Sequence, residues 1–268
     1  MKVDCHAEVF DPARWRPLTD QASAAATHGT VAELLSFLQM SRVQGQVLVQ
    51  PLAYHASHGC LLDAVQRAGP QARAIAHLSR YMPSTEVAAL HHAGVRGTRF
   101  VIAGQNMADT LDELAVLHQM MPADWHFELS GSWPCLSRLS TALGRWGRVF
   151  VGTATDMWQS RLSADDAKRL LRWMDLGNFY AKLVLPERLM SFEVVAERQP
   201  ELAALIDGVT DRLLWGSGWP NINASWVNAL ARTKGHGEPT LGEPVDLTLA
   251  LDRNAHTVYG FTERAAQA

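Results

Sequence analysis

An imidazole and a carboxylate two residues apart stand near the start of the chain: His6 and Glu8, within the apolar run 3–10. Residues two apart on a strand share a face. His6 and Glu8 are therefore expected to point one way, and Cys5 and Ala7 the other. Such a pair could bind a metal, divide acid and base work, or form a buried hydrogen-bonded pair. Two further charges, Glu128 and Lys182, also lie inside apolar runs. A lysine on a buried strand must find a partner, and Glu8 and Glu128 are the obvious choices. A Schiff-base role for Lys182 is chemically open, but a paired structural lysine is the favoured reading. The three cysteines, Cys5, Cys60 and Cys135, have no histidine at a catalytic spacing.

Eight short apolar runs would have to position these groups: 3–10, 46–50, 73–78, 97–102, 125–129, 148–151, 178–185 and 212–216. Helical spacing fills the intervals. Segment 31–40 places Val31, Leu34, Leu35 and Leu38 on one face, and 111–121 carries Leu111, Leu114, Leu117 and Met121 on one stripe. Segment 163–174 opens with Ser163 as a cap and an acidic first turn. Strands alternating with helices predict a parallel sheet. Eight such units within one chain of 268 residues predict a (β/α)₈ TIM barrel, a single domain over 1–268. Barrel chemistry belongs at the carboxyl ends of the strands. Those ends carry His6 and Glu8, Gln50, His77, Arg99, Glu128, Thr153, Lys182 and Ser217. His55 and His58 flank the loop after the second run, while Tyr180, Trp215 and Trp219 are expected to pack.

Composition narrows the function. Apolar residues make up 47% of the chain, which excludes intrinsic disorder, and 24 basic against 27 acidic residues leave a charge of −3. With no basic run, neither nucleic acid nor an anionic membrane is an expected partner. No apolar stretch is long enough to span a bilayer, and no nucleotide-binding glycine motif follows a strand. Three widely spaced cysteines suit reduced thiols in the cytoplasm. A homodimer is compatible with these features.

The motif Asp4-Cys5-His6-Ala7-Glu8-Val9-Phe10 resembles the D-x-H-x-H-V-F opening of the amidohydrolase-2 family, and the chain looks most like its 2-pyrone-4,6-dicarboxylate lactonase branch. Seven further motifs follow in order: Val47-Leu48-Val49-Gln50-Pro51, Leu61-Leu62-Asp63-Ala64, Gly94 to Phe100, Trp125 to Leu129, Lys182-Leu183 with Arg188, Leu214 to Pro220, and Asp252-Arg253-Asn254 with Tyr259-Gly260-Phe261. The departures bear on function. Glu8 stands where the family has a second histidine, and Gly152-Thr153 where it has Asp-His. Gly218 replaces the general-base aspartate, and Asn221 replaces a histidine.

Metal-dependent members need several ligands converging on the ion. His6 and Glu8 would require recruitment of His77 or His126, so no metal and no cofactor is expected. The lactonase branch implies catalysis without metal, with arginines gripping substrate carboxylates. A planar guanidinium suits that role because it offers two parallel hydrogen bonds. Arg96 and Arg99 are three apart on one strand and face opposite ways. Arg99 is expected inward, and Arg96 in a salt bridge with a neighbouring helix. The expected site comprises His6, Glu8, Glu128 and Lys182 for proton transfer, with Arg99, Arg188 and Ser217 for substrate binding. Two readings remain. One is an enzyme acting on a small anionic cyclic substrate, by lactone hydrolysis, isomerisation or cyclisation. The other is a non-catalytic relative that binds a ligand or supports a partner. Retention of an inward lysine favours the enzyme.

Overall fold

The computed structural model describes residues 2–11, 29–41, 43–102, 106–154, 162–184, 200–201, 209–220 and 253–261. Its eight strands are β1 (Val3–Ala7), β2 (Gly45–Val49), β3 (Ala72–Ala76), β4 (Val95–Val101), β5 (His126–Gly131), β6 (Phe150–Ala154), β7 (Phe179–Val184) and β8 (Leu213–Gly216). They pair in chain order, and every ladder is parallel. Each strand falls on one of the eight apolar runs. The helices α1 (Val31–Ser41), α2 (Gly59–Ala68), α3 (Ser84–His92), α4 (Met107–Met120), α5 (Trp133–Leu143) and α6 (Ala164–Asp175) occupy the intervals. Ser163 caps α6 as expected, accepting from the Asp166 amide.

Alternation along the strands divides the apolar residues into two cores. Leu48, Ala74, Phe127, Leu129, Phe150 and Phe179 face outward onto helix residues such as Leu61, Leu114, Leu136 and Trp173. Burying each large side chain of this layer is worth about 1.5–3 kcal/mol. Val3, Cys5, Val47, Val49, Ile75, Val151, Tyr180 and Leu214 fill the barrel itself. A last helix, α7 (Asn254–Tyr259), closes the floor. Its Ala255, Val258 and Tyr259 join the inner cluster, and Asn254 Nδ2 donates to the Leu213 carbonyl at 2.7 Å.

Two local features shape the mouth. The register of β1 against β2 runs Asp4↔Gln46 and then Ala7↔Leu48, so β1 carries one extra residue. A bulge of this kind resets which way the following side chains point. Cys5 therefore faces into the barrel while Ala7 faces the helices, correcting the expectation that both share the outer face. The second feature is the seam between β8 and β1. It closes through one isolated parallel bridge, Ala7↔Trp219, with Glu8 N donating to Trp219 O and Gly218 N to His6 O. Gly216 is required there, because a Cβ would collide with the His6 side chain and backbone. Among the described residues no helix is long and apolar enough to cross a membrane.

Candidate active site

Two layers of polar groups lie at the carboxyl ends of the strands. In the lower one, Lys182 Nζ donates to both Glu128 oxygens at 2.6 Å and to the Cys5 carbonyl at 2.8 Å. All three ammonium hydrogens are thereby used. Tyr259, reaching up from α7, donates to Glu128 Oε1 at 2.9 Å, and His126 Nε2 lies 3.7 Å from the same oxygen. Lys182 is 0% exposed, and Glu128 and Tyr259 1% each. Burial alone would raise the Glu128 pKa, but the Lys182 charge together with His126 and His6 outweighs it and holds the carboxyl well below the usual range. Burial, reinforced by the Glu128 charge, pushes the Tyr259 phenol well up and keeps it a donor. Between the two expected partners of Lys182, the structure selects Glu128.

Above this pair lies Arg99, whose Nη1 donates to Glu8 Oε1 at 2.5 Å and to the Gln50 carbonyl at 3.0 Å. Its Nε lies 3.4 Å from Ser130 Oγ, and its Nη2 makes no hydrogen bond to a described residue. Burial acts most strongly and would raise the Glu8 pKa, but Arg99 and His6 together outweigh it and bring it to about 2. A carboxylate so acidic is a poor proton acceptor at neutral pH. The geometry thus gives Glu8 the task of holding Arg99 instead of the base role that the sequence allowed it. His6 Nε2 lies 3.8 Å from Glu8 Oε1, and burial lowers the His6 pKa, with Glu8 partly offsetting it.

Gln50 fixes the adjoining loops. Its Nε2 donates to His55 O and Ser57 O, and its Oε1 accepts from the His77 amide. His58 is buried, with Nε2 2.8 Å from the His77 carbonyl, so it supports the loop beneath the mouth. Three buried atoms near the carboxyl ends of the strands have no hydrogen-bond partner among the described residues: His6 Nδ1, His77 Nε2 and Thr153 Oγ1. Buried polar atoms left unpaired are costly, and here they supply hydrogen-bonding capacity for a ligand. The His77 imidazole is pushed down to about 3, by burial first and by Arg99 next.

That shift has a measurable consequence. An unfolded histidine takes up its proton near pH 6.5, the folded one only near pH 3. The contribution is therefore complete above pH 6.5 and lost as pH falls towards 3, at up to about 1.4 kcal/mol per unit. Urea unfolding across this window should show His77→Asn with a visibly flatter decline than wild type; parallel curves would refute the assignment.

The remaining expected residues divide. Ser217 Oγ donates to Asp4 Oδ2 at 2.6 Å and accepts from the Trp219 amide, so it fastens β8 to β1 and its hydroxyl is already engaged. Asp4 itself was missed. Its Oδ1 accepts from the amides of His6 and Ser217, and burial raises its pKa. Arg188 lies outside the described residues. Arg96 reaches the C-terminal end of α3, but it donates to the carbonyls of His91 and Val95 instead of meeting a carboxylate. Tyr259 appears in the sequence only as part of a terminal motif, and nothing local marks its hydroxyl as a partner of Glu128.

A metal needs three or more converging donors. His6 and Glu8 offer two, and a guanidinium already occupies the carboxylate oxygen nearest His6. No group of three His, Cys, Asp or Glu among the described residues is arranged to hold an ion. Among the described residues the donor set does not fit a resident metal.

The amidohydrolase family profile matches residues 3–261. The chain belongs to the amidohydrolase family. This amidohydrolase is 26% identical over 242 residues to a 2-pyrone-4,6-dicarboxylate hydrolase of Comamonas testosteroni, covering 82% of this chain and 77% of the relative. It is 24% identical over 222 residues to the D-galactarolactone isomerase of Agrobacterium fabrum, covering 78% and 72%. The crystal structure of a probable 2-pyrone-4,6-dicarboxylic acid hydrolase from Acinetobacter baumannii superposes with a TM-score of 0.74 at 19% identity, over 97% of this chain and 99% of that one. The barrel is thus the amidohydrolase barrel.

Proposed function

We propose that this amidohydrolase is a metal-independent enzyme for a small, anionic, cyclic substrate, acting by lactone hydrolysis or by isomerisation through proton transfer. The observation that carries the reading is Arg99 at the barrel mouth. Three neighbours hold its guanidinium, and its Nη2, with no hydrogen bond to a described residue, suits a ligand anion. His6 is the proton-transfer group, since its buried ring is neutral at pH 7 and its Nδ1 is unpaired. His77 and Thr153 are placed to hydrogen-bond a ring carbonyl or hydroxyl. Lys182 and Glu128 lie below as a closed pair that sets the field under His6. Arg188 is retained as a second substrate-binding cation.

The two curated relatives support the substrate class, one named for a cyclic pyrone dicarboxylate and the other for a galactarolactone. The guanidinium on Glu8 supports catalysis without metal. The family match supports a single domain over 1–268. The balanced charge supports a small-molecule enzyme of the cytoplasm over one with a nucleic-acid or membrane partner.

The test begins with a thermal-shift screen of small carboxylated lactones, followed by turnover of whichever binds. Arg99→Met should then weaken binding by about 1.5–3 kcal/mol, the worth of a charge-assisted hydrogen bond. Titration calorimetry reads this directly. Unchanged affinity in the variant would remove Arg99 from the site.

A further inference from the structure

We infer that Glu8 is a resident counter-anion that sets the specificity of the mouth, occupying the Nη1 end of Arg99 and restricting ligand carboxylates to the Nη2 side. The inference rests on reading Arg99 as the anion grip. Both hydrogens of Nη1 are committed, one to Glu8 Oε1 and one to the Gln50 carbonyl. A ligand carboxylate cannot take the Nη1–Nη2 end of the fork without displacing Glu8. Among the described residues Nη2 has no partner, and Nε beside it is only loosely engaged by Ser130 Oγ. The Glu8 side chain is 20% exposed, so its charge also faces an incoming anion.

Charge arithmetic over the two layers points the same way. Arg99 and Lys182 supply two positive charges, Glu8 and Glu128 two negative ones, and each anion contacts its cation. His6 is buried and His77 half-buried; both have lowered pKa values and add none at pH 7. This set is neutral, so an anion gains from Arg99 only against the repulsion of Glu8. Selectivity arises from the repulsive partner as much as from the attractive one. Such a mouth favours a ligand whose carboxylate meets Arg99 from the Nη2 side over one whose carboxylate would contact Glu8.

Titration calorimetry with glutarate as the probe, at pH 7.5 and low salt, tests this on wild type, Glu8→Gln, Glu8→Ala, Arg99→Met and the Glu8→Gln/Arg99→Met double variant. Both Glu8 variants should bind glutarate about tenfold more tightly, as expected for removing a like charge a few ångströms from the ligand. The gain should shrink as salt is raised, which loosened packing would not produce. Arg99→Met should cancel it. If Arg99→Met weakens binding while neither Glu8 variant tightens it, the counter-anion role is wrong and the anion grip stands. If Arg99→Met changes nothing in either background, the grip reading fails and takes this inference with it. Melting curves of each variant separate these outcomes from loss of fold.

Discussion

Lys182→Met should cost about 3–5 kcal/mol of folding stability, the penalty for stranding one partner of a buried ion pair. The substitution keeps most of the side-chain volume and removes only the ammonium. Glu128 would then keep its Tyr259 hydrogen bond and lose the two 2.6 Å contacts to Nζ, with no water route to replace them. The double variant Lys182→Met/Glu128→Leu should recover most of the loss, because a well-packed apolar pair can match a buried ionic one. Urea unfolding at pH 7 is the measurement, and a single-variant cost below about 1 kcal/mol would show that the pair is not closed as described. The pH dependence has a defined sign. Glu128 is depressed below its unfolded value of 4.5, so its contribution is present above pH 4.5 and is lost as acid drives the folded pKa. Lys182→Met should erase that limb.

The second large effect concerns rate. His6→Asn should lower kcat/KM on the order of 10² to 10⁴, the usual worth of a positioned proton-transfer group. Asparagine retains a hydrogen-bonding side chain of similar reach and cannot carry a proton. In wild type, burial lowers the His6 pKa, so activity should hold through pH 6.5 and fall only below it, as the neutral ring is lost. The variant should lack that acid limb. Retention of rate within tenfold, with the limb intact, would move proton transfer to another residue.

Much of this architecture is legible in the sequence because strand and helix periods are local. The eight apolar runs coincide with the eight strands, and Arg99 turns inward as its spacing from Arg96 requires. Lys182 announces its need for a partner, since an apolar run cannot solvate an ammonium. What the sequence conceals depends on register and on distant chain. The β1 bulge leaves no mark in the residues themselves, so strict alternation sends Cys5 to the wrong face. Tyr259 meets Glu128 only because α7 folds under the floor, 131 residues away along the chain. Glu8 reads as a base until Arg99 is seen against it, because proximity, not residue type, sets a carboxylate's acidity. Arg96 finds the His91 carbonyl at the end of α3 for a similar reason: a helix C-terminus is itself an acceptor surface.

The seam has a kinetic consequence. His6 sits on the first strand and Glu8 just beyond its end, yet their surroundings are completed by contacts such as Asp4 with Ser217, 213 residues apart. Contacts of such sequence separation are slow to form, because the loop they close must be ordered first. During synthesis the proton-transfer histidine emerges early and waits for nearly the whole barrel before β8 docks beside it. Partly folded chains that already hold most of the helices would bind nothing at this mouth. Recovery of ligand binding should therefore lag behind recovery of secondary structure on refolding, with the joining of the last strand to the first as the commitment step.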